Sequence, residues 1–314
     1  MKIRYMIICS AASLLLWSTL FLFVLKKDLT VGLYHDLFKH KIAHAEKSAG
    51  PRFFIIAGSN GFYSHDAETF EKRLGLPATN LSVAVMFPLD YLFDRYKTHL
   101  RPGDVVYLPL EYSNYAGNRN PNSFGNVYDI TIEKNFSNLT IKSFYRCFGR
   151  FDMNYLIEAV AEGALTAFGV RPLVTVKDLT AYGDIANNTE ENAKPYKAYI
   201  QSVKMPEISF SGANGCIKDF LLYAAENQIT VIGGLPVNFS DTGISAEVIQ
   251  QIEKTFSENK ALFVKTESFS RYPRTDFFDT AYHLKRQPAI RHSEIVADEM
   301  LKKYPAIFTR GRTL

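Results

Sequence analysis

Ser59 stands in Gly58-Ser59-Asn60-Gly61, directly after the apolar run Phe53-Phe54-Ile55-Ile56-Ala57. A serine where a buried strand passes into a helix exposes its hydroxyl. It also sits among backbone N–H groups with no helical carbonyl to bond, so it is placed to attack an ester carbonyl and to hold the resulting oxyanion. A serine nucleophile needs a base. Far along the chain lies Phe277-Phe278-Asp279-Thr280-Ala281-Tyr282-His283-Leu284. An imidazole can take the serine proton when a carboxylate such as Asp279 orients its other nitrogen. Each piece also has a plain structural reading, as a turn with a helix cap and as an Asp-His pair in a loop. Their joint placement at opposite ends of one α/β pattern favours chemistry.

Other polar residues invite simpler readings. His65 and Asp66 follow Ser59 closely and read as the start of a helix rather than as a second dyad. Glu111, after an apolar run, either bonds backbone at a strand end or belongs to the site. His35, His40 and His44 fall in a segment where surface exposure is expected. There is no C-x-x-C and no clustered His/Cys spacing, so neither a metal nor any other cofactor is expected.

The elements that must position these residues follow from periodicity. The run at 53–57 closes with Gly58 and is followed by a helical segment, Asp66 to Leu74, which is a βα unit with a buried strand. Further strands are expected at 78–85, 105–110, 229–234 and 261–265. Helices are expected at 88–100, 218–227, 245–257 and 294–303. Such alternation marks a parallel sheet flanked by helices, with the ligand crevice beyond the carboxyl ends of the strands. Between about 113 and 215 the pattern gives way to Asn-, Tyr- and Ser-rich sequence around one helix, Asp152 to Phe168. This reads as an insertion, either a solvated elaboration or a lid.

Met6 to Leu25 carries no charge and matches the roughly twenty residues that span a bilayer core. The apolar run meets Lys26-Lys27 directly, without a small-x-small cleavage site, so an uncleaved anchor (residues 1–27) is expected. Lys2 and Arg4 precede the segment, so the basic residues do not decide its orientation; the short tail is taken as cytoplasmic and the body as extracytoplasmic. Residues 28–50 read as a stalk. The body of 51–314 is ordinary globular sequence, 47% hydrophobic and 22% charged over the chain, which excludes disorder and a multi-span membrane protein. The net charge of +4 comes without a basic stripe, which argues against nucleic acid. Of the three cysteines, Cys9 lies in the apolar segment. Cys147 and Cys216 either pair or remain two unrelated thiols.

Ile55-Ile56-Ala57-Gly58-Ser59-Asn60, Asn80-Leu81-Ser82 and the stretch from Asp279 to His283 together resemble the blocks of the SGNH (GDSL-like) hydrolase superfamily. The likeness is greatest to its membrane-anchored exopolysaccharide branch, the alginate-acetylation-type proteins and the D-alanyl transfer protein of teichoic acid synthesis. It covers residues 50–112 and 216–305. The resemblance implies a three-layer α/β/α sandwich, with Ser59 as nucleophile, His283 as general base and Asp279 as its orienter. For the oxyanion it implies Asn60 beside the nucleophile, Ser82 where the family has a glycine, and Asn114 in place of the usual third-block asparagine. The family spacing is Asp-x-x-His; here one more residue intervenes, which leaves Asp276 as the other orienter.

The expected function is acyl transfer, most simply of acetyl, to or from a cell-envelope or secreted polysaccharide, with a separate multi-span membrane acyltransferase as donor. The rival is a non-catalytic domain of the same shape that binds polymer or docks that acyltransferase. A soluble lipase or esterase suits a tethered chain less well.

Overall fold

The computed structural model describes residues 2–25, 31–84, 87, 89–116, 160–161, 164–165, 167–168, 174–213 and 215–308. The chain divides into two units, one of Met1–Lys39 with Ser123–Val176 and one of His40–Asn122 with Lys177–Leu314. The expected helix at 152–168 falls largely outside the described residues, as does Cys147; Cys216 is half-buried.

In the first unit, helix α1 (Lys2–Leu25) has no charged residue beyond Arg4 and turns Ile7, Leu14, Leu15 and Leu16 outward. Its stretch Lys2–Leu20 is the one helix among the described residues long and apolar enough to cross a membrane.

The second unit is an α/β fold around a five-stranded parallel sheet. Its strands are β1 (Phe53–Ile55), β2 (Ala78–Asn80), β3 (Val105–Leu108), β4 (Thr230–Gly233) and β6 (Leu262–Phe263). They are ordered β2-β1-β3-β4-β6, with Phe53 level with both Ala78 and Val105. A short parallel pair, β5 (Asn238–Phe239) with β7 (Arg271–Tyr272), stands apart and had no counterpart in the sequence reading. The five sheet strands lie where the alternating pattern puts them. They are shorter than the apolar runs, β2 most of all.

Helices α3 (Ser59–Ser64), α4 (Ala67–Leu74), α5 (Leu89–Lys97), α6 (Gly215–Glu226), α7 (Ala246–Ser257) and α8 (Arg286–Lys303) follow. Asp66 caps α4 by accepting the Thr69 N–H at 2.8 Å, and Gly75, at φ 72°, ends it. Ser245 caps α7 in the same way through Val248. Alternate strand residues point to one face. Phe53 and Ile55 of β1, Val105 and Tyr107 of β3 and Ile232 of β4 thus share one cluster with Phe70 and Leu74 of α4 and Val296 and Met300 of α8. Each such buried side chain contributes about 1.5–3 kcal/mol. Phe93 of α5 stacks on Phe220 of α6 at 4.1 Å.

A buried ion pair aligns the two central strands at their start. Arg52 donates from Nε and Nη2 to Asp104 at 3.2 and 2.6 Å, and from Nη1 to the Ala45 carbonyl.

Two boundaries differ from the sequence reading. Helix α2 (Val31–Ala45) is not a spacer along its whole length, because from His40 onward it belongs to the α/β unit. Lys41 in it is fully buried. Its ammonium donates to the carbonyls of Asn80 (2.9 Å) and Gly183 and lies 4.1 Å over the Phe62 ring. His40 and His44 are half-buried rather than exposed, bonded to the Thr180 carbonyl and the Thr79 hydroxyl. Likewise, residues 177–213, which the sequence reading placed in the insertion, group with the α/β unit. Asp184 and Asn188 are fully buried, and the Tyr182 carbonyl accepts the Asn80 N–H beside the β2 edge. Polar composition concealed this packing because the burial is mediated by amides and carboxylates rather than by apolar periodicity.

Candidate active site

The chain runs from β1 to β2 on one side and on to β3 on the other, which makes the carboxyl ends of β1 and β3 the topological switch point, where open parallel sheets bind ligands. Ser59 follows β1 there, and Glu111 follows β3.

The β1–α3 turn is tight for a specific reason. A Cβ on Gly58 would fall 2.4 Å from Glu111 Oε1, so only glycine lets this carboxyl group approach the backbone. Ser59 is the first residue of α3 and is half-buried. The far end of α3 is clamped to the loop before α8. Ser64 Oγ donates to the Tyr282 carbonyl and accepts the Leu284 N–H, both at 2.8 Å. Asn188 adds a second clamp, donating to the carbonyls of Tyr63 and Leu284.

That loop turns back on itself, with Phe278 N–H on the His283 carbonyl and Lys285 N–H on the Asp276 carbonyl. Inside it, Asp279 Oδ1 and His283 Nδ1 lie 2.6 Å apart. Asp276 is directed elsewhere, 3.7 Å from Arg291, so the open choice between the two carboxylates falls to Asp279. The His283 ring stacks on Tyr63 at 4.1 Å between centroids and 9° between planes. Tyr63 is one helical turn beyond Ser59 on the same face, a rise of about 6 Å. His283 therefore stands beside the face of α3 that begins with Ser59.

The expected oxyanion donors are placed differently from the sequence reading. Asn60 is fully buried. Its side-chain amide donates to the Pro109 carbonyl at 2.7 Å and its Oδ1 accepts the Val237 N–H, so it ties the ends of β1, β3 and β4 together. Ser82 is also fully buried. Its N–H is taken by Asn80 Oδ1, and its hydroxyl accepts from Ala57 N and donates to the Ile55 carbonyl. Asn114 does reach the site, but its amide faces Glu111, at 3.2 Å from the carbonyl and 3.5 Å from Oε2.

Glu111 holds the position expected to be open. Its Oε2 accepts the Gly58 N–H at 3.3 Å and its Oε1 the Asn60 N–H at 3.1 Å, one on each side of Ser59. Glu111 thus bonds backbone at a strand end, and the backbone it bonds is that on either side of Ser59. It is only 4% exposed. Burial raises its pKa above the ordinary carboxylate value, against the opposing pull of the amides and of His283.

Asp66 caps α4 and pairs with Arg286, as expected of a helix start. His65 is buried, and no side chain hydrogen-bonds either of its ring nitrogens. Burial lowers its pKa to about 3, the Asn60 carbonyl opposing, and its ring meets His292 edge-on at 4.9 Å. Among the described residues no group of three His, Cys, Asp or Glu side chains could hold a metal.

Tyr63, Ser64 and Asn188 were missed from sequence. A helix starting at Ser59 rather than Asp66 puts Tyr63 beside Ser59 by the i, i+4 spacing. Asn188 carried no such signal. No family model matches the chain, and no curated protein matches it.

Proposed function

We propose that this chain is a membrane-anchored serine acyl-transfer enzyme, an O-acetyltransferase or acetylesterase acting outside the cytoplasm on a cell-envelope or secreted polysaccharide. In this reading its α/β unit is an SGNH-like three-layer α/β/α sandwich. The observation that carries the proposal is the Asp279–His283 pair held against the helix that begins with Ser59.

Ser59 Oγ attacks the acyl carbonyl, forming an O–C bond, while its proton passes to His283 Nε2. The bond to the donor's oxygen then breaks, and His283 returns the proton to that leaving oxygen. A sugar hydroxyl or water repeats the steps in reverse on the acyl-Ser59 ester. Asp279 holds Nδ1–H and stabilises the imidazolium. The apolar α1 supports a substrate or a multi-span acyl donor located at a membrane. Beside the 276–285 loop lies a cavity of about 260 Å³, lined among others by Glu190, Lys197, Arg274 and Lys285, with Lys285 bonded to Glu190 and Arg274 to the Ile200 and Val203 carbonyls.

The test is the full chain in detergent with a chromogenic acetyl ester, read by release rate and by mass spectrometry. A covalent acetyl on Ser59, absent in Ser59→Ala and greatly slowed in His283→Ala, is the expected result. The second reading, a non-catalytic polymer-binding or docking domain, is favoured by one observation: the amides of Gly58, Asn60 and Ser82 are already bonded within the protein. It takes over when a folded protein gives neither adduct nor release above the Ser59→Ala background.

A further inference from the structure

We propose that Glu111 is a positioning residue for the Ser59 turn, which it locks through the amides of Gly58 and Asn60 and unlocks by taking up a proton. The inference rests on the acyl-transfer reading of Ser59.

Three features lead to it. Helix α3 begins without a capping side chain, because Gly58 has none, and its first N–H groups are met by a carboxyl group from the end of the neighbouring strand. That carboxyl group splits its two oxygens between the two amides that bracket Ser59. Finally, the bonds of Asn60 to Pro109 and Val237 act through its side chain and leave its backbone N–H to Glu111.

The consequence is electrostatic. An ionised Glu111 and a tetrahedral oxyanion on Ser59 compete for the same donors, and two negative charges do not share them. A protonated carboxyl oxygen is a poor acceptor, so one proton on Glu111 releases an amide while the other oxygen keeps its bond. The turn then stays in place with one donor free. The groups facing Glu111 are His283 and Tyr282 from the loop before α8 and Tyr115 from the turn after β3, with the neutral Asn114 beside it. Of these, a protonated His283 opposes the rise in the Glu111 pKa. Burial raises the Glu111 pKa, which keeps the protonated form accessible.

The experiment compares wild type and Glu111→Gln, each as the full chain in detergent with a chromogenic acetyl ester, from about pH 5 to about pH 9. The Ser59→Ala rate is subtracted, and the Ser59 adduct is followed by mass spectrometry. Glutamine keeps the shape and one oxygen acceptor but carries no charge. In wild type, kcat/KM falls toward the alkaline end, by up to about tenfold per pH unit, as Glu111 ionises. Glu111→Gln rises to a plateau and exceeds wild type at the alkaline end by about tenfold or more. Profiles of the same shape for both proteins overturn the role of Glu111 and leave the acyl-enzyme reading standing. Absence of a Ser59 adduct at every pH in folded protein overturns both. Where Glu111→Gln does not fold, the wild-type profile decides: a descending alkaline limb supports the inference, and its absence overturns it.

Discussion

Asp279 and Asp276 lie three residues apart in one loop, and the acyl-transfer reading makes them unequal. Asp279 Oδ1 is 2.6 Å from His283 Nδ1, whereas Asp276 faces Arg291. With the ring charge about 4 Å from the carboxylate, an effective dielectric constant near 20 gives about 4 kcal/mol of stabilisation for the imidazolium formed as Ser59 attacks. The two side chains are 11% and 23% exposed, and solvent screening brings this to about 2–3 kcal/mol. Asp279→Asn is therefore expected to lower kcat/KM by roughly 30- to 200-fold. Since the carboxylate acts on charge that develops only during the reaction, the loss should fall on kcat with KM nearly unchanged. Asp276→Asn should stay within about threefold of wild type, because its neighbours are Arg291 and backbone. The assay is chromogenic acetyl-ester release by full-length protein in detergent, with circular dichroism as the check on folding. Asp279→Asn within threefold of wild type, or Asp276→Asn as the damaging change, would refute the assignment of the orienter.

Four further outcomes follow from named contacts. Asp104→Asn leaves the 1%-exposed Arg52 without its counter-charge, so it should cost about 3–5 kcal/mol and lower the midpoint of thermal unfolding by roughly 6–20 °C, while an apolar replacement of both partners recovers much of the loss. Lys41→Met should destabilise the fold by about 2 kcal/mol through the unpaired carbonyls of Asn80 and Gly183, and the deficit should grow with alkalinity. Burial lowers the Lys41 pKa from 10.5 to about 7, so the unfolded chain binds more protons in that window and wild-type stability rises with pH across it; stability curves that stay parallel from pH 7 to 10 would contradict this. Asp184 works in the opposite sense: burial raises its pKa from 3.8 to about 6, and Asp184→Asn should abolish a fall in stability between those values as pH rises. Gly58→Ala forces a methyl into Glu111 and should cost about 1–3 kcal/mol along with most of the Ser59 reactivity, as measured by unfolding and by adduct yield.

Much of the frame was legible in sequence because buried parallel strands are written as short continuous apolar runs. Phe53 to Ala57, Val105 to Leu110 and Ile229 to Gly234 announced three of the five sheet strands, with Gly58 after the first, the Pro102-Gly103-Asp104 turn before the second and Gly234 closing the third. Caps were equally plain, since Asp66 and Ser245 bond backbone within three residues of themselves. The weakly alternating segments were harder to read. Strands β5 and β7 are two residues each, too short for any period, and the packing of residues 177–213 rests on Asp184 and Asn188, whose partners lie about a hundred residues away in the chain.

The division within the candidate site has the same physical origin. By itself the sequence determined that a serine follows the first strand, that an Asp and a His share a late loop, and that an apolar helix precedes the whole, because each of these is local. Only the tertiary structure decided which carboxylate meets His283, that Tyr63 stacks on that ring, and that the amides beside Ser59 belong to Glu111. Those are contacts between the ends of different strands, brought together by a sheet order in which β1 lies between β2 and β3. A hydrogen bond has a reach of about 3 Å, and no spacing along the chain encodes which distant donor will come within it.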